Sequence, residues 1–328
     1  MDEFDFIRDK LAPLAGGEGL NLKDDAALFT PAPGYDLVLT KDAMVEGVHF
    51  PNGEYGGNVA EKLLRVNLSD LAAKGATPLG YLLSLAIPKS VTQAHLSGFT
   101  VGLRDVQDAY NFKLWGGDTV STSGPFVVSA TFIGHVPKGQ MVKRFGAEIG
   151  DDIWVTGTIG DAYLGLQNVL GRTLEPQPTS DQIWHWEEAY LRPEPRLLLR
   201  KLFRKYATAA LDVSDGLLAD AEHLALASDV GLEIELERVP LSTATQMWCK
   251  AQEKTQPAYE ALLSGGDDYE VIFTANPKHM RDIESAAEGL DVSITKIGKI
   301  TERAASMRVV DKNGELIAFE KKGYKHSI

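Results

Sequence analysis

The chain has 328 residues, 44% of them hydrophobic, and sets 33 Lys plus Arg against 46 Asp plus Glu for a formal net charge of -13. A single core stops growing near 250–300 residues, so this length predicts two domains, and the excess acid repels polyanions, which excludes nucleic acid and anionic lipid as expected partners. The lone Cys249 excludes a disulfide framework and a CxxC-type zinc site, and the seven histidines include no HExxH or HxxxH pair.

In chain order, the acidic opening Met1-Asp2-Glu3-Phe4-Asp5 lacks the basic n-region of a signal peptide, and no apolar run reaches the roughly 18 residues that span a bilayer, which predicts a soluble, cytoplasmic protein without membrane partners. Residues 37–42, Leu-Val-Leu-Thr-Lys-Asp, read as a strand that puts Val38, Thr40 and Asp42 on one face and ends at Asp42. From Asn58 to Gly75, Val59, Leu63, Val66, Leu68 and Leu71 recur at helical spacing, with Asn58 as N-cap and Gly75 as stop. Asp70 falls on the stripe of Val59, Leu63 and Val66, which points it toward the core or a cleft rather than into solvent. A second helix is predicted over 93–111 and a strand over 126–136. Gly116-Gly117-Asp118-Thr119 between them reads either as an ordinary turn or as a close backbone approach followed by metal oxygens.

The turn-rich stretch 138–150 contains little apolar character and reads as a linker, giving domains over 1–137 and 151–328. Beyond it, 152–156 forms a strand, and Gly157-Thr158-Ile159-Gly160-Asp161 turns into a helix. Such a turn serves either to cradle phosphate or simply to connect two elements. Trp184, Trp186 and Tyr190 at helical spacing are assigned to a core or an interface. From Ala209 a strand runs through Leu211, Asp212 and Val213 into Ser214, and Leu217, Leu218, Ala221 and Leu224 continue as a helix with Ser214 as its N-cap. Gly265-Gly266-Asp267-Asp268-Tyr269-Glu270 then feeds the strand Val271-Ile272-Phe273-Thr274. Strands alternating with helices make the chain α/β or α+β.

Six acidic clusters therefore sit at turns, strand ends or an apolar stripe, where an unpaired carboxylate costs stability until a cation meets it. Magnesium bridging to a phosphate ligand satisfies that demand, because Mg²⁺ takes one or two protein oxygens and completes its octahedron with water and phosphate. No GxxxxGK[ST] loop and no kinase HRDxxxxN or DFG set occurs, so any ATP chemistry belongs to another fold.

The runs Asp24-Asp25-Ala26-Ala27, Thr40-Lys41-Asp42 through Gly47-Val48-His49-Phe50, Asn67-Leu68-Ser69-Asp70-Leu71-Ala72, Gly116-Gly117-Asp118-Thr119, Asp212-Val213-Ser214-Asp215-Gly216-Leu217 and Ser264-Gly265-Gly266-Asp267-Asp268-Tyr269-Glu270 follow in an order and spacing that resembles the thiamine-monophosphate kinase family. That family belongs to the aminoimidazole ribonucleotide synthetase-like superfamily, and the resemblance covers nearly the whole chain. It implies an N-terminal ATP- and metal-binding α/β domain whose sheet pairs with its twin as a barrel in a homodimer, and a C-terminal α+β domain. It implies ATP-dependent, Mg²⁺-dependent phosphorylation of thiamine monophosphate to thiamine diphosphate. The family's magnesium positions fall on Asp25, Thr40, Lys41, Asp42, Asp70, Asp118, Asp212 and Asp215, with Lys41 serving through its carbonyl because an ammonium has no lone pair. Gly117, Asp118, Arg144 and Ser214 match nucleotide contacts; His49, Asp267 and the position of Lys321 match contacts to thiamine phosphate.

Two positions depart from the family pattern. Many relatives carry Glu at Asp267 and an aromatic residue at Lys321, ahead of Lys322-Gly323-Tyr324, so Tyr324 is either a replacement stacking group or a core tyrosine. Arg144 reads as a cationic clamp or as a solvated linker residue, and His49 as a ligand or as a structural histidine. A selenophosphate synthetase would place a cysteine near the N-terminus and a hydrogenase-maturation carbamoyl dehydratase one at the C-terminus, and Cys249 fits neither. A nucleotide-binding regulator would not need metal carboxylates in both halves, and a purely structural protein would place its acids at exposed helix positions.

Overall fold

The computed structural model describes residues 3–290, 292–321 and 323–324; Met1, Asp2 and Lys322 of the sequence reading lie outside the described residues. The chain divides into two compact units, one running to Leu71 and from Ala76 to Met141, the other taking Ala72–Gly75 and everything from Val142 onward.

In the first unit, a short helix α1 (Glu3–Phe6) leads through helical turns to β1 (Tyr35–Val45), α2 (Gly57–Ala73), β2 (Thr77–Pro88), α3 (Gln93–Tyr110), β3 (Lys113–Thr122) and β4 (Val127–Pro137). The sheet order is β1-β4-β2-β3, antiparallel except for the parallel β2–β3 pair that α3 connects. Residues alternate along β1, with Val38 and Met44 buried while Leu37 and Leu39 stand out from the opposite face. The buried face packs on the helices: Asn67 and Asp70 of α2 reach Asp42 and Thr40, and Phe99 of α3 meets Phe126 edge-on at 5.9 Å. Tyr81, Phe112 and Phe132 fill the centre with ring centroids 5.1–5.6 Å apart. The α2 stripe of Val59, Leu63 and Val66 is buried as its periodicity predicts, and Gly75, at φ +70°, ends the run by donating to Ala72 O.

Three local expectations change. Strand β1 does not end at Asp42, because that residue pairs with Ala130 and the ladder runs on to Val45 opposite Val127. Helix α2 begins at Gly57, so Asn58 lies within its first turn instead of capping it. Gly116-Gly117-Asp118-Thr119 is not a turn: it lies inside β3, paired with Leu82 to Leu85 of β2.

The second unit contains β5 (Asp152–Thr156), α4 (Asp161–Val169), α5 (Ser180–Leu191), α6 (Arg200–Tyr206), β6 (Ala207–Asp212), α7 (Leu217–Ser228), β7 (Gly231–Glu235), α8 (Thr243–Lys250), α9 (Thr255–Leu263), β8 (Val271–Ala275), α10 (Met280–Glu288), β9 (Ile294–Thr301) and β10 (Met307–Val310). Its sheet order is β10-β7-β9-β5-β8-β6, antiparallel except for β10–β7. Every residue of β5 and β8 is buried, which requires cover on both faces. Ile153, Val155, Leu211 and Ile272 pack with α7 on one face, and Trp154, Ala210 and Phe273 pack with α6 on the other. Trp186 and Tyr190 are core residues, whereas Trp184 is exposed. Residues 138–150 hold no helix or strand. Among the described residues no helix is long and apolar enough to cross a membrane.

The turn of residues 157–161 connects elements. Asp268 Oδ1 accepts the Gly160 N–H at 2.9 Å, and the buried Asp161 carboxylate accepts hydroxyls from Thr158, Ser242 and Thr245 at 2.5–2.7 Å, so the start of α4 is filled by the chain's own acids. Asp161 also raises the His185 imidazole, 3.3 Å away, above its ordinary 6.5. Burial alone would raise Asp161, yet the bonds from His185, Ser242, Thr245 and Thr158 hold it below its ordinary 3.8. With the imidazole raised in the folded state, its stabilisation is complete below the unfolded value and fades as pH climbs through the raised one; with the carboxylate lowered, its share is present above 3.8 and fades as pH falls through the lowered value. The stability difference between wild type and His185→Gln, read by urea unfolding across pH, is therefore expected to be largest between about 4 and 6.5 and to shrink on the alkaline side. A pH-independent difference would show that the two groups are not coupled.

Candidate functional site

On the buried face of the first sheet, the Thr40 hydroxyl donates to Asp70 Oδ2 and the Asp42 N–H donates to Asn67 Oδ1 at 3.2 Å. Asn67 is itself held by its own helix, Nδ2 donating to Leu63 O at 2.8 Å. This brings Thr40, Asp42 and Asp70 together. Burial, reinforced by the Asp70 charge and opposed by Lys41, pushes the Asp42 carboxyl up to about 7. Lys41 offers little relief, since strand alternation sends its ammonium to the other face, where Nζ donates to Ser129 Oγ at 2.7 Å. Ser129 Oγ in turn donates to Asp42 O at 2.9 Å.

Past β1 the chain folds back through Gly47-Val48-His49-Phe50. The Val45 N–H donates to His49 Nδ1 at 3.1 Å, so Nδ1 supplies a lone pair and the imidazole carries its proton on Nε2. Glu46 anchors this loop: Oε1 accepts from Gly53 N at 2.9 Å and the Tyr55 hydroxyl at 2.8 Å, and Oε2 accepts from Phe126 N at 2.9 Å. Burial would raise Glu46, but those three donors hold it below the ordinary value. The sequence reading did not single out Glu46, and no motif marks it: its donors are one tyrosine hydroxyl and two backbone N–H groups, that of Phe126 lying 80 residues along the chain.

Asp24, Asp25, Gly117, Asp118 and Thr119 line one cavity of about 910 Å³ within the first unit, with Leu37, Leu39 and Leu82 on the sheet side. Gly117 is required by close approach, because a Cβ there would lie 1.8 Å from Leu83 O.

In the second unit, two loops are joined edge to edge. The Val213 N–H donates to Glu270 O at 2.7 Å, Tyr269 N–H to Val213 O at 2.8 Å and Asp267 N–H to Ser214 O at 2.9 Å, so the β6–β8 ladder extends past both strand ends. Asp212, Ser214, Asp215 and Asp267 are thereby brought together. Glu270 fixes the far end, accepting from Thr156 Oγ1 at 2.6 Å and from Arg196 in a two-pronged pair. Ser214 does not cap α7. The residue before the helix is Gly216, φ +114°, with no side-chain cap, while Asp220 Oδ2 reaches back to the loop and accepts the N–H groups of Ser214 and Asp215 at 2.9 and 3.0 Å. Arg144 is exposed, and its charge opposes the burial that pushes Asp220 up to about 7.

Lys321 is exposed and its N–H donates to Glu260 Oε1 at 2.7 Å. Tyr324 is 52% exposed, which excludes the core reading, and its N–H donates to Asp215 O at 2.9 Å. Among the described residues no three His, Cys, Asp or Glu side chains form a ready-made metal group.

Residues 23–136 match the model of the AIR synthase related protein N-terminal domain, and residues 148–311 match that of its C-terminal domain. This two-domain fold with mixed sheets is the AIR synthase-like class. The thiamine-monophosphate kinase of Caulobacter vibrioides is 45% identical over 302 residues, 92% of this chain and 84% of that protein. The crystal structure of thiamine-monophosphate kinase from Stenotrophomonas maltophilia K279a superposes with a TM-score of 0.79 at 37% identity, covering 90% of this chain and 91% of that one. AaThiL complexed with AMPPCP and TMP gives a TM-score of 0.77 at 33% identity, covering 93% and 91%. The chain belongs to the thiamine-monophosphate kinase family.

Gly117→Ala is expected to cost about 1–3 kcal/mol in urea unfolding, since the added methyl must push β3 away from β2. Wild-type stability in that variant would show that the strands have slack at this point.

Proposed function

We propose that this chain transfers the terminal phosphoryl group of ATP to thiamine monophosphate, giving thiamine diphosphate and ADP. Its membership of the family supports the reaction, as do the ATP analogue and TMP bound by the related AaThiL. The observation that carries the reading is the pair Asp42 and Asp70, two neighbouring carboxylates: burial, and after it the Asp70 charge, pushes Asp42 up to about 7. Hard oxygen donors without a resident cation suit Mg²⁺, which fills most of its octahedron with water and phosphate and so does not need a preformed three-acid cluster. Asp25, Thr40, the Lys41 carbonyl, Asp42, Asp70, Asp118, Asp212 and Asp215 are the groups we assign to hold magnesium. When bound, it would neutralise the phosphate charge that opposes the approach of two anions.

The protein's own residues then have simple tasks. Gly117 and Ser214 present backbone and hydroxyl groups to nucleotide phosphate, Asp118 faces the same ligand, and Arg144 contributes a planar cation. His49, protonated on Nε2, offers an N–H donor to the thiamine phosphate. Asp267 and Lys321 complete the acceptor side, with the shorter Asp267 keeping a carboxylate there. No general base is required, because an acceptor phosphate with a second pKa of about 6 is already largely deprotonated at neutral pH.

In this reading residues 1–137 form the ATP- and metal-binding domain, 138–150 the linker and 151–328 the C-terminal α+β domain, in a cytoplasmic homodimer. Leu37, Leu39 and Leu82, 39, 64 and 40% exposed on one sheet face, support pairing of that sheet with its twin into a barrel.

ADP release with ATP, Mg²⁺ and thiamine monophosphate, with the product identified by chromatography, tests the reaction. Activity is expected with the monophosphate only, to vanish with chelator, and to fall at least about 100-fold in Asp42→Asn; equal ADP release with thiamine or with no acceptor would overturn it. Sedimentation equilibrium is expected to give a dimer for wild type and a monomer for Leu39→Glu, and a wild-type monomer would refute the sheet pairing.

A further inference from the structure

The loop Asp212-Val213-Ser214-Asp215-Gly216 takes its shape from a residue outside it. Helix α7 starts after Gly216 without a side-chain cap, and the N–H groups of Ser214 and Asp215 both turn inward to one oxygen, Asp220 Oδ2, at 2.9 and 3.0 Å. Asp220 lies on the first turn of α7 and is 4% exposed.

The peptide plane between residues 214 and 215 is thus held at both ends. Its N–H meets Asp220, and its carbonyl, Ser214 O, accepts the Asp267 N–H at 2.9 Å. The next carbonyl, Asp215 O, accepts the Tyr324 N–H at 2.9 Å. A peptide group is rigid, so fixing its N–H fixes the direction of its C=O. Glycines let the other segments close on this plane: a Cβ on Gly266 would lie 2.5 Å from Ser214 O, and one on Gly323 would lie 2.7 Å from Asp215 O and 2.3 Å from Ala219 Cβ.

Resting on the reaction proposed above, we propose that Asp220 is a positioning residue that touches neither substrate but sets Ser214, Asp215, Asp267 and the segment around Tyr324 in mutual register. One buried oxygen then serves the nucleotide side and the thiamine-phosphate side together. The requirement is for an acceptor at the Oδ2 position and not for a charge, since a single amide oxygen has two lone pairs and can take both N–H groups.

The test compares wild type, Asp220→Asn, Asp220→Ala and, as a core control on the same helix, Leu224→Ala. Asp220→Ala is expected to raise KM for ATP and for thiamine monophosphate together, each about tenfold, while Asp220→Asn stays within about threefold of wild type and Leu224→Ala, assayed where it is folded, keeps both KM values. Backbone hydrogen exchange of the free proteins is the second readout: Asp220→Ala is expected to speed exchange at Ser214, Asp215, Asp267 and Tyr324 together, and Asp220→Asn to leave it unchanged. Wild-type KM values in Asp220→Ala, equal damage in Asp220→Asn, a KM rise in Leu224→Ala, or faster exchange confined to Ser214 and Asp215 would each overturn the proposal. If Asp220→Ala does not fold, Asp220→Glu, which carries the oxygen one methylene further, takes its place in both measurements. A wild type that makes no thiamine diphosphate refutes the reaction alone, and the exchange pattern still decides the role of Asp220.

Discussion

Negative charge withdrawn from water without a fixed counter-ion is the constraint around which this molecule is built. Where an acid serves structure, the chain supplies its partner: Lys296 lies 2.6 Å from the buried Asp152, Arg196 grips Glu270, and three hydroxyls with His185 surround Asp161. Breaking such a buried pair by removing the partner would cost several kcal/mol. Asp42 has no such arrangement. Its nearest charges are Asp70, which repels it, and Lys41, whose ammonium is spent on Ser129 across the sheet. Asp220 shows that a raised carboxyl alone does not mark a site: burial pushes it to about 7 as well, yet it holds the Ser214 and Asp215 N–H groups.

The scaffold places these acids by means of backbone pairing. Thr40 and Asp42 lie on one face because strand residues alternate, and Asp70 meets them because it is seven residues, nearly two helical turns, beyond Leu63 on the inward stripe of α2. In the second unit the same role falls to ladder bonds that continue beyond β6 and β8, so that the residues after each strand stay paired where a free loop would wander. Glycines at 117, 266 and 323 permit the contacts, each facing a carbonyl that a Cβ would strike.

These two routes also explain what could be read from sequence. The helix over 58–75 and the inward aim of Asp70 follow from local spacing, and local spacing was enough. The strand β3 was not visible, because Gly-Gly-Asp-Thr-Val-Ser-Thr has turn composition and becomes a strand only when β2 offers its free edge. Asp42 looked like a strand end for a similar reason: a polar residue interrupts the apolar run, yet Ala130 pairs with it regardless. Ser214 has the chemistry of an N-cap, but it lies two residues ahead of Gly216 with its own N–H turned to Asp220, a pairing that no local rule marks. Glu46 was silent because its three donors are a tyrosine and two backbone groups that only the fold assembles. The order and spacing of the acidic runs carried the family resemblance even so, since spacing survives when the reason for each residue is tertiary.

A carboxyl poised at about 7 offers a way to keep such a site without unfolding the protein around it. Two ionised carboxylates held together would load the fold with repulsion that a marginally stable domain can ill bear. A proton on Asp42 relieves part of that load near neutral pH, and it leaves readily because the group titrates there and not far above. On the proposed reading, a divalent cation would displace this proton and no lysine or arginine. On that reading the arrangement keeps the stability cost of the acids low until ligand arrives and would tie metal affinity to pH through the same carboxyl.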